Sequence, residues 1–169
     1  MNRLQLMVAL VLAAPVAHAQ TNSLAAGMSL PVGNYASAAN TGFGLALLSR
    51  TDATIGPFDI RVDLTYDRLG GKGTITRFTY TSAGLSLVRD VGAGVYFLGG
   101  FSLYQASDQG GVKVAGRTGN ANHTNGGAKG GLGVDFTAFG RAWFIEGNIV
   151  RLLSSPGVTW VPLRLGIRI

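Results

Sequence analysis

The chain is 169 residues long, carries a net charge of +6 and contains 26 glycines and no cysteine. That length suits one domain, the lack of thiols excludes a disulfide framework or a thiolate metal site, and the basic residues are too dispersed for a nucleic-acid footprint. Glycine at this frequency, inside strand-like segments as well as between them, disfavours helices and suits bent, closely packed strands.

Arg3 precedes an apolar run over residues 6–16, and Ala17, His18 and Ala19 supply the small-x-small pattern of a signal-peptidase site. This predicts an exported protein with a signal peptide at 1–19, cleaved after Ala19, and a mature domain at 20–169. The leader run is shorter than the ~20 apolar residues of a spanning helix. Every later apolar run is soon broken by Gly, Pro or a charge. A membrane location would therefore be reached with strands.

The first strand is expected at 23–32, with Leu24, Ala26, Met28, Leu30 and Val32 on one face and Pro31 near its end. After a loop at 33–40, Phe43, Leu45 and Leu47 alternate with Gly42, Gly44 and Ala46 in a second strand reaching Arg50. A turn at 51–57, containing Gly56 and Pro57, leads into the most regular segment, 58–67. There Phe58, Ile60, Val62, Leu64 and Tyr66 face one way, and Asp59, Arg61, Asp63, Thr65 and Asp67 the other. Gly70 and Gly71 end it.

In the fourth strand, 74–88, Phe78 and Tyr80 are apolar at even positions but Leu85 and Leu87 at odd ones. A β-bulge at 82–84 would absorb that change of phase. A tight turn follows at 89–94, and a fifth strand at 95–106 sets Val95, Phe97, Phe101 and Leu103 on one side. The segment 108–127, rich in Gly and Asn and containing His123, is expected to be the one long loop. The sixth strand, 129–136, turns at 137–140 into the seventh, 141–153. The eighth, 159–169, follows a turn through Pro156 and Gly157.

Connections after the second, fourth and sixth strands are short, whereas the long loop lies after the fifth. Eight such strands predict an all-β, eight-stranded antiparallel up-and-down transmembrane β-barrel, with apolar faces toward lipid and charged faces toward the lumen. Phe58, Tyr66, Phe136, Trp143 and Trp160, near strand ends, are expected to form an interfacial girdle. The alternative is a secreted, soluble, lipocalin-like barrel with its apolar faces turned inward around a small apolar ligand.

Five segments resemble the small outer-membrane barrels of the OmpA/OmpX and opacity-protein type: SLPVGNYASAANTGFGLAL, FDIRVDLTYDRL, KGGLGVDF, AWFIEGNIVRL and VPLRLGIRI. The likeness extends over 20–169 and rests on patterns of strand and glycine, with no catalytic signature. It implies a monomeric protein of a Gram-negative outer membrane, in contact with membrane lipid, with a structural, adhesive or surface-interaction role and an external partner met through loop 108–127. The chain departs from the family pattern at Ile169, where an aromatic residue is usual.

Little in the sequence suggests catalysis. After removal of the leader His123 is the single histidine, and no Ser, Asp or Glu lies beside it in sequence. An outer-membrane lipid-modifying enzyme would nevertheless have to use it. A lone His without clustered carboxylates does not make a metal site. Gly130, Gly131 and Gly133 lie in a strand with no helix following, so they are no nucleotide fingerprint. No catalytic residue, cofactor or metal is expected. The informative charges are Arg61, Asp63, Lys129, Asp135, Glu146, Arg164 and Arg168, all expected to project into the lumen as a structural ion network. A hairpin register that sets Glu146 directly across from Arg164 makes these two an expected pair.

Overall fold

The computed structural model describes residues 19–73, 76–109, 122–153 and 158–169. Eight strands close into one antiparallel barrel in chain order, with β8 returning to β1. They are β1 (Ala19–Pro31), β2 (Ala39–Ile55), β3 (Phe58–Gly71), β4 (Arg77–Gly92), β5 (Val95–Gln109), β6 (Asn122–Ala138), β7 (Arg141–Leu152) and β8 (Thr159–Arg168). A 3-10 helix (Gly33–Ser37) follows β1. Apart from Ala19, the expected leader lies outside the described residues. So does most of the expected long loop: β5 runs on to Gln109 and β6 starts at Asn122, which leaves 110–121.

The strand alternation resolves the two barrel alternatives. Leu24, Met28, Phe43, Leu45, Leu85, Phe97, Phe101, Leu103, Leu132, Ile145, Ile149, Leu163 and Leu165 all point outward and are exposed, whereas Arg61, Asp63, Asp67, Glu146 and Arg164 are buried inside. A water-soluble barrel places its large apolar side chains inward. Here the order is reversed, and the outer surface is one that lipid, not water, accommodates. A surface concavity of about 1220 Å³ also lies outside, among Leu24, Leu45, Leu64 and Leu103. It is part of the lipid-facing surface and not a lipocalin-type ligand cavity.

Strand β4 corrects one expectation. Its pairing with β3 runs without a shift from Asp59 opposite Val88 to Gly70 opposite Arg77, and no bulge occurs at 82–84. Phe78, Tyr80, Ser82, Ser86 and Val88 all face inward, and the outward side changes from Thr79 and Thr81 to Leu85 and Leu87. The apparent phase change arises because the lumen itself becomes aromatic toward the end bearing the 3-10 helix. Trp160 is corrected for the same reason. It is fully buried in the lumen, with the parity of Arg164, and is not a girdle residue.

The short connections are shorter than the sequence implied, because the strands extend. β2 continues to Ile55, with a register shift between Arg50 and Thr54, so that only Gly56 and Pro57 remain between Ile55 and its partner Phe58. Phe139 and Gly140 alone link β6 to β7. The closing hairpin takes the expected register, with Glu146 opposite Arg164 and Trp143 opposite Ile167.

Inward glycines make room for large lumen side chains on the neighbouring strands. A methyl group at Gly133 would overlap the Tyr96 ring, one at Gly166 the Phe144 ring, and one at Gly131 the Asn148 amide. An eight-stranded barrel has space for roughly one layer of side chains. Large and small residues therefore alternate around it.

Candidate functional site

The lumen contains most of the polar chemistry of the described residues. Its centre is Arg61 on β3, which donates from Nε to Asp63 (2.6 Å) and from Nη1 and Nη2 to the two carboxylate oxygens of Glu146 on β7 (2.6 and 3.1 Å). The planar guanidinium fork fits a carboxylate with two parallel bonds, the strongest neutralising geometry available to it. Glu146 also accepts from the Tyr96 hydroxyl (2.9 Å) and the Asn148 amide (2.8 Å). Asp63 is held on its other side by Lys129 and Ser86. Each of these carboxylates is thus met by a cation and by neutral donors, as burial requires.

A second pair lies toward the 3-10 helix. Arg164 on β8 donates to both oxygens of Asp67 on β3 (2.8 and 3.0 Å), and Ser29 on β1 donates to Asp67 Oδ1 (2.6 Å). At the opposite end Arg168 pairs with Asp135 at 2.5 Å, half-buried. Arg50 reaches Asp90 (2.9 Å) and Asp59 (3.6 Å) at that rim.

The structure brings all seven sequence-derived lumen residues into this arrangement, but without the one pair that was expected. Glu146 and Arg164 face each other in register, yet Glu146 is engaged by Arg61 and Arg164 by Asp67. Both bonds cross the lumen between walls distant in sequence, a geometry that cross-strand register does not contain. Asp67 is the residue that was missed. Its alternation with Arg61 and Asp63 on one face of β3 was the available signal. Including it balances four cations, Arg61, Lys129, Arg164 and Arg168, against four carboxylates, Asp63, Asp67, Asp135 and Glu146.

Above the Asp67 pair sits an aromatic layer. Trp160 stacks on Tyr80 with ring centroids 4.8 Å apart and meets Tyr104 edge-on at 5.4 Å. The 3-10 helix after β1 turns Tyr35 into this layer, against Phe78 at 5.4 Å, with its hydroxyl 2.7 Å from that of Tyr80. Two interior cavities, one lined by Arg61, Asp67, Glu146 and Arg164 and the other by Arg50, Tyr96 and Phe144, are about 10 Å³ each.

His123 is not in a loop but near the start of β6, exposed and opposite Ala106. Among the described residues no Ser, Asp or Glu side chain hydrogen-bonds to it, and no cluster of three His, Cys, Asp or Glu forms a metal-binding group.

No protein-family model matches the chain, and no characterised protein matches it in sequence. Solved structures do. Neisserial surface protein A (NspA) superposes with a TM-score of 0.61 at 18% identity, covering 88% of this chain and 94% of its own. Ail, the attachment invasion locus protein of Yersinia pestis, gives 0.58 at 16% identity, covering 88% and 98%. Ail in complex with the heparin analogue sucrose octasulfate gives 0.57 at 17%, with the same coverage. The fold is that of the small outer-membrane β-barrels. At these identities it is the architecture that is shared, and the network described above is a property of this chain's own residues.

Proposed function

We propose that the protein is a non-enzymatic, monomeric barrel of a Gram-negative outer membrane. Its lumen is plugged and ion-paired, and it acts at the cell surface in a structural, adhesive or interaction role. The observation that carries this is the reversal of faces: apolar residues outward, neutralised charges inward. A plugged lumen is supported by the ion pairs that cross it, Arg61 with Glu146 and Arg164 with Asp67, and by interior cavities of about 10 Å³, too small for a hydrated ion. A closed strand order leaves no sheet edge to pair with another chain, which favours the monomer. With His123 exposed and without an acid or nucleophile beside it among the described residues, no catalytic constellation supports the lipid-modifying alternative. A similarly folded protein described by its role in attachment and invasion favours a surface-interaction role.

In this reading the leader 1–19 is removed, the domain is 20–169, and the end opposite the short turns faces the exterior, so that 110–121 meets any external partner. Trypsin added to intact cells is then expected to cut at Lys113 or Arg117 and leave the barrel strands protected, as read by mass spectrometry of the fragments. Cleavage there only after the outer membrane has been opened would reverse the sidedness.

A further inference from the structure

Two arginines face each other where a strand pair is better served by opposite charges. Arg50 on β2 lies directly across from Arg61 on β3, both inward, and Arg168 on β8 adds a third guanidinium group to the wall of the cavity at the short-turn end of the lumen. Like charges directly opposite on adjacent strands repel. Each arginine is held from behind by a carboxylate, Arg50 by Asp90, Arg61 by Glu146 and Arg168 by Asp135, but no carboxylate among the described residues lines the cavity itself. Besides Tyr96, whose hydroxyl donates to Glu146, its remaining polar side chains are Thr21, opposite Arg50, and Ser23, opposite Arg168. The neighbouring cavity is different, because Arg61, Lys129 and Arg164 line it together with Asp63, Asp67 and Glu146, in equal number.

The cavity is therefore walled mainly by hydrogen-bond donors, and they are held in place. Arg50 Nε is buried and meets no acceptor among the described residues, and Arg168 engages Asp135 through Nη2. The Arg50 guanidinium lies 5.6 Å from the centroid of the Tyr96 ring, and that of Arg168 lies 5.7 Å from the Phe144 ring. We propose that this cavity binds a single dehydrated halide ion, chloride in the cell, between Arg50, Arg61 and Arg168, with Thr21 and Ser23 as further donors. An anion there offsets the repulsion between the facing arginines and gives Arg50 Nε its acceptor, whereas a water molecule would find no carboxylate for its own two hydrogens. A volume of about 10 Å³ holds one particle the size of a water, which excludes phosphate, sulfate and organic carboxylates. The side chains of Arg50 and Arg168 are 15% and 19% exposed, so the ion enters from the short-turn rim, and both can shift outward for the slightly larger radius of chloride. On the inner side the Arg61–Glu146 pair keeps the ion at this end. The site rests on the closed strand order and not on the surface role proposed above.

The test is urea unfolding of the purified full-length barrel in phospholipid vesicles, with sodium chloride exchanged for sodium gluconate, whose anion is too large for the cavity, at constant ionic strength. Between about 1 and 300 mM chloride the folding equilibrium constant of the parent is expected to rise at least about tenfold, following 1 + [Cl⁻]/Kd for one ion bound only by the folded state. Arg50→Gln should abolish the rise. Thr21→Val removes one donor while keeping the shape, and should raise the chloride concentration required about fivefold, as the loss of one hydrogen bond does. Crystals grown with bromide in place of chloride should show an anomalous-scattering peak between Arg50, Arg61 and Arg168. A parent whose stability does not depend on chloride overturns the proposal, and a bromide peak at the site would then mean binding at crystal concentration only. A rise that survives in Arg50→Gln, or a bromide peak elsewhere in its place, overturns it in favour of an ion bound at another position. Should Arg50→Gln not fold, Thr21→Val decides, and an unchanged chloride dependence in that variant overturns the proposal.

Discussion

Glu146→Ala is expected to destabilise the folded barrel by about 3–5 kcal/mol, the cost of leaving one member of a buried ion pair without its partner. Glu146 is 1% exposed and accepts from Arg61, Tyr96 and Asn148, so its loss leaves a guanidinium fork and two neutral donors without their acceptor. The choice of second mutation identifies the partner. Combined with Arg61→Ala, the total should fall short of the sum by about 1–3 kcal/mol, as coupled neighbours do. Combined with Arg164→Ala, which removes the partner of Asp67, the total should lie closer to additivity. Urea unfolding of the three single and two double variants and the parent in vesicles measures both cycles. Stronger coupling to Arg164 would show that the hairpin pair, and not the pair across the lumen, holds Glu146.

Trp160→Ala is expected to cost about 3–5 kcal/mol, the range for deleting a fully buried aromatic side chain. Trp160 has no exposed surface, stacks on Tyr80 and abuts Tyr104, and its loss would open the aromatic layer through which the 3-10 helix packs by way of Tyr35. Its indole N–H meets no acceptor among the described residues, so its contribution is packing. Trp160→Phe should accordingly cost far less. A girdle residue would behave differently, losing roughly the same small amount in either variant. Equilibrium unfolding of the two variants separates these cases.

These two residues mark what the sequence could and could not convey. Strand number, the inward face of 58–67 and the closing register follow from a period of two that each strand carries along its own length. Glu146 opposite Arg164 is of this kind. Which inward charges bond to one another depends on the diameter of the closed barrel, and Arg61 reaches Glu146 across 85 residues of chain. Asp67 was therefore visible on the ionic face but had no assigned partner. Aromatic residues carry the weakest parity signal, because they serve lipid and lumen alike. Phe78 and Tyr80 suggested a bulge, and Trp160 a girdle residue, and all three lie inward. The first part of β6 was read as loop because neither of its faces is apolar there, and it pairs nonetheless from Asn122 onward.

The most direct test of a filled, ion-paired lumen is single-channel recording of the purified barrel in planar bilayers. Closed across by Arg61 with Glu146 and by Arg164 with Asp67, and topped by Trp160 against Tyr80 and Tyr104, the barrel is expected to insert and show no steady conductance. Glu146→Ala alone should add only brief openings. A large, stable open level in the parent protein would contradict this account, because it would require a continuous water-filled path through residues that the structure places in contact.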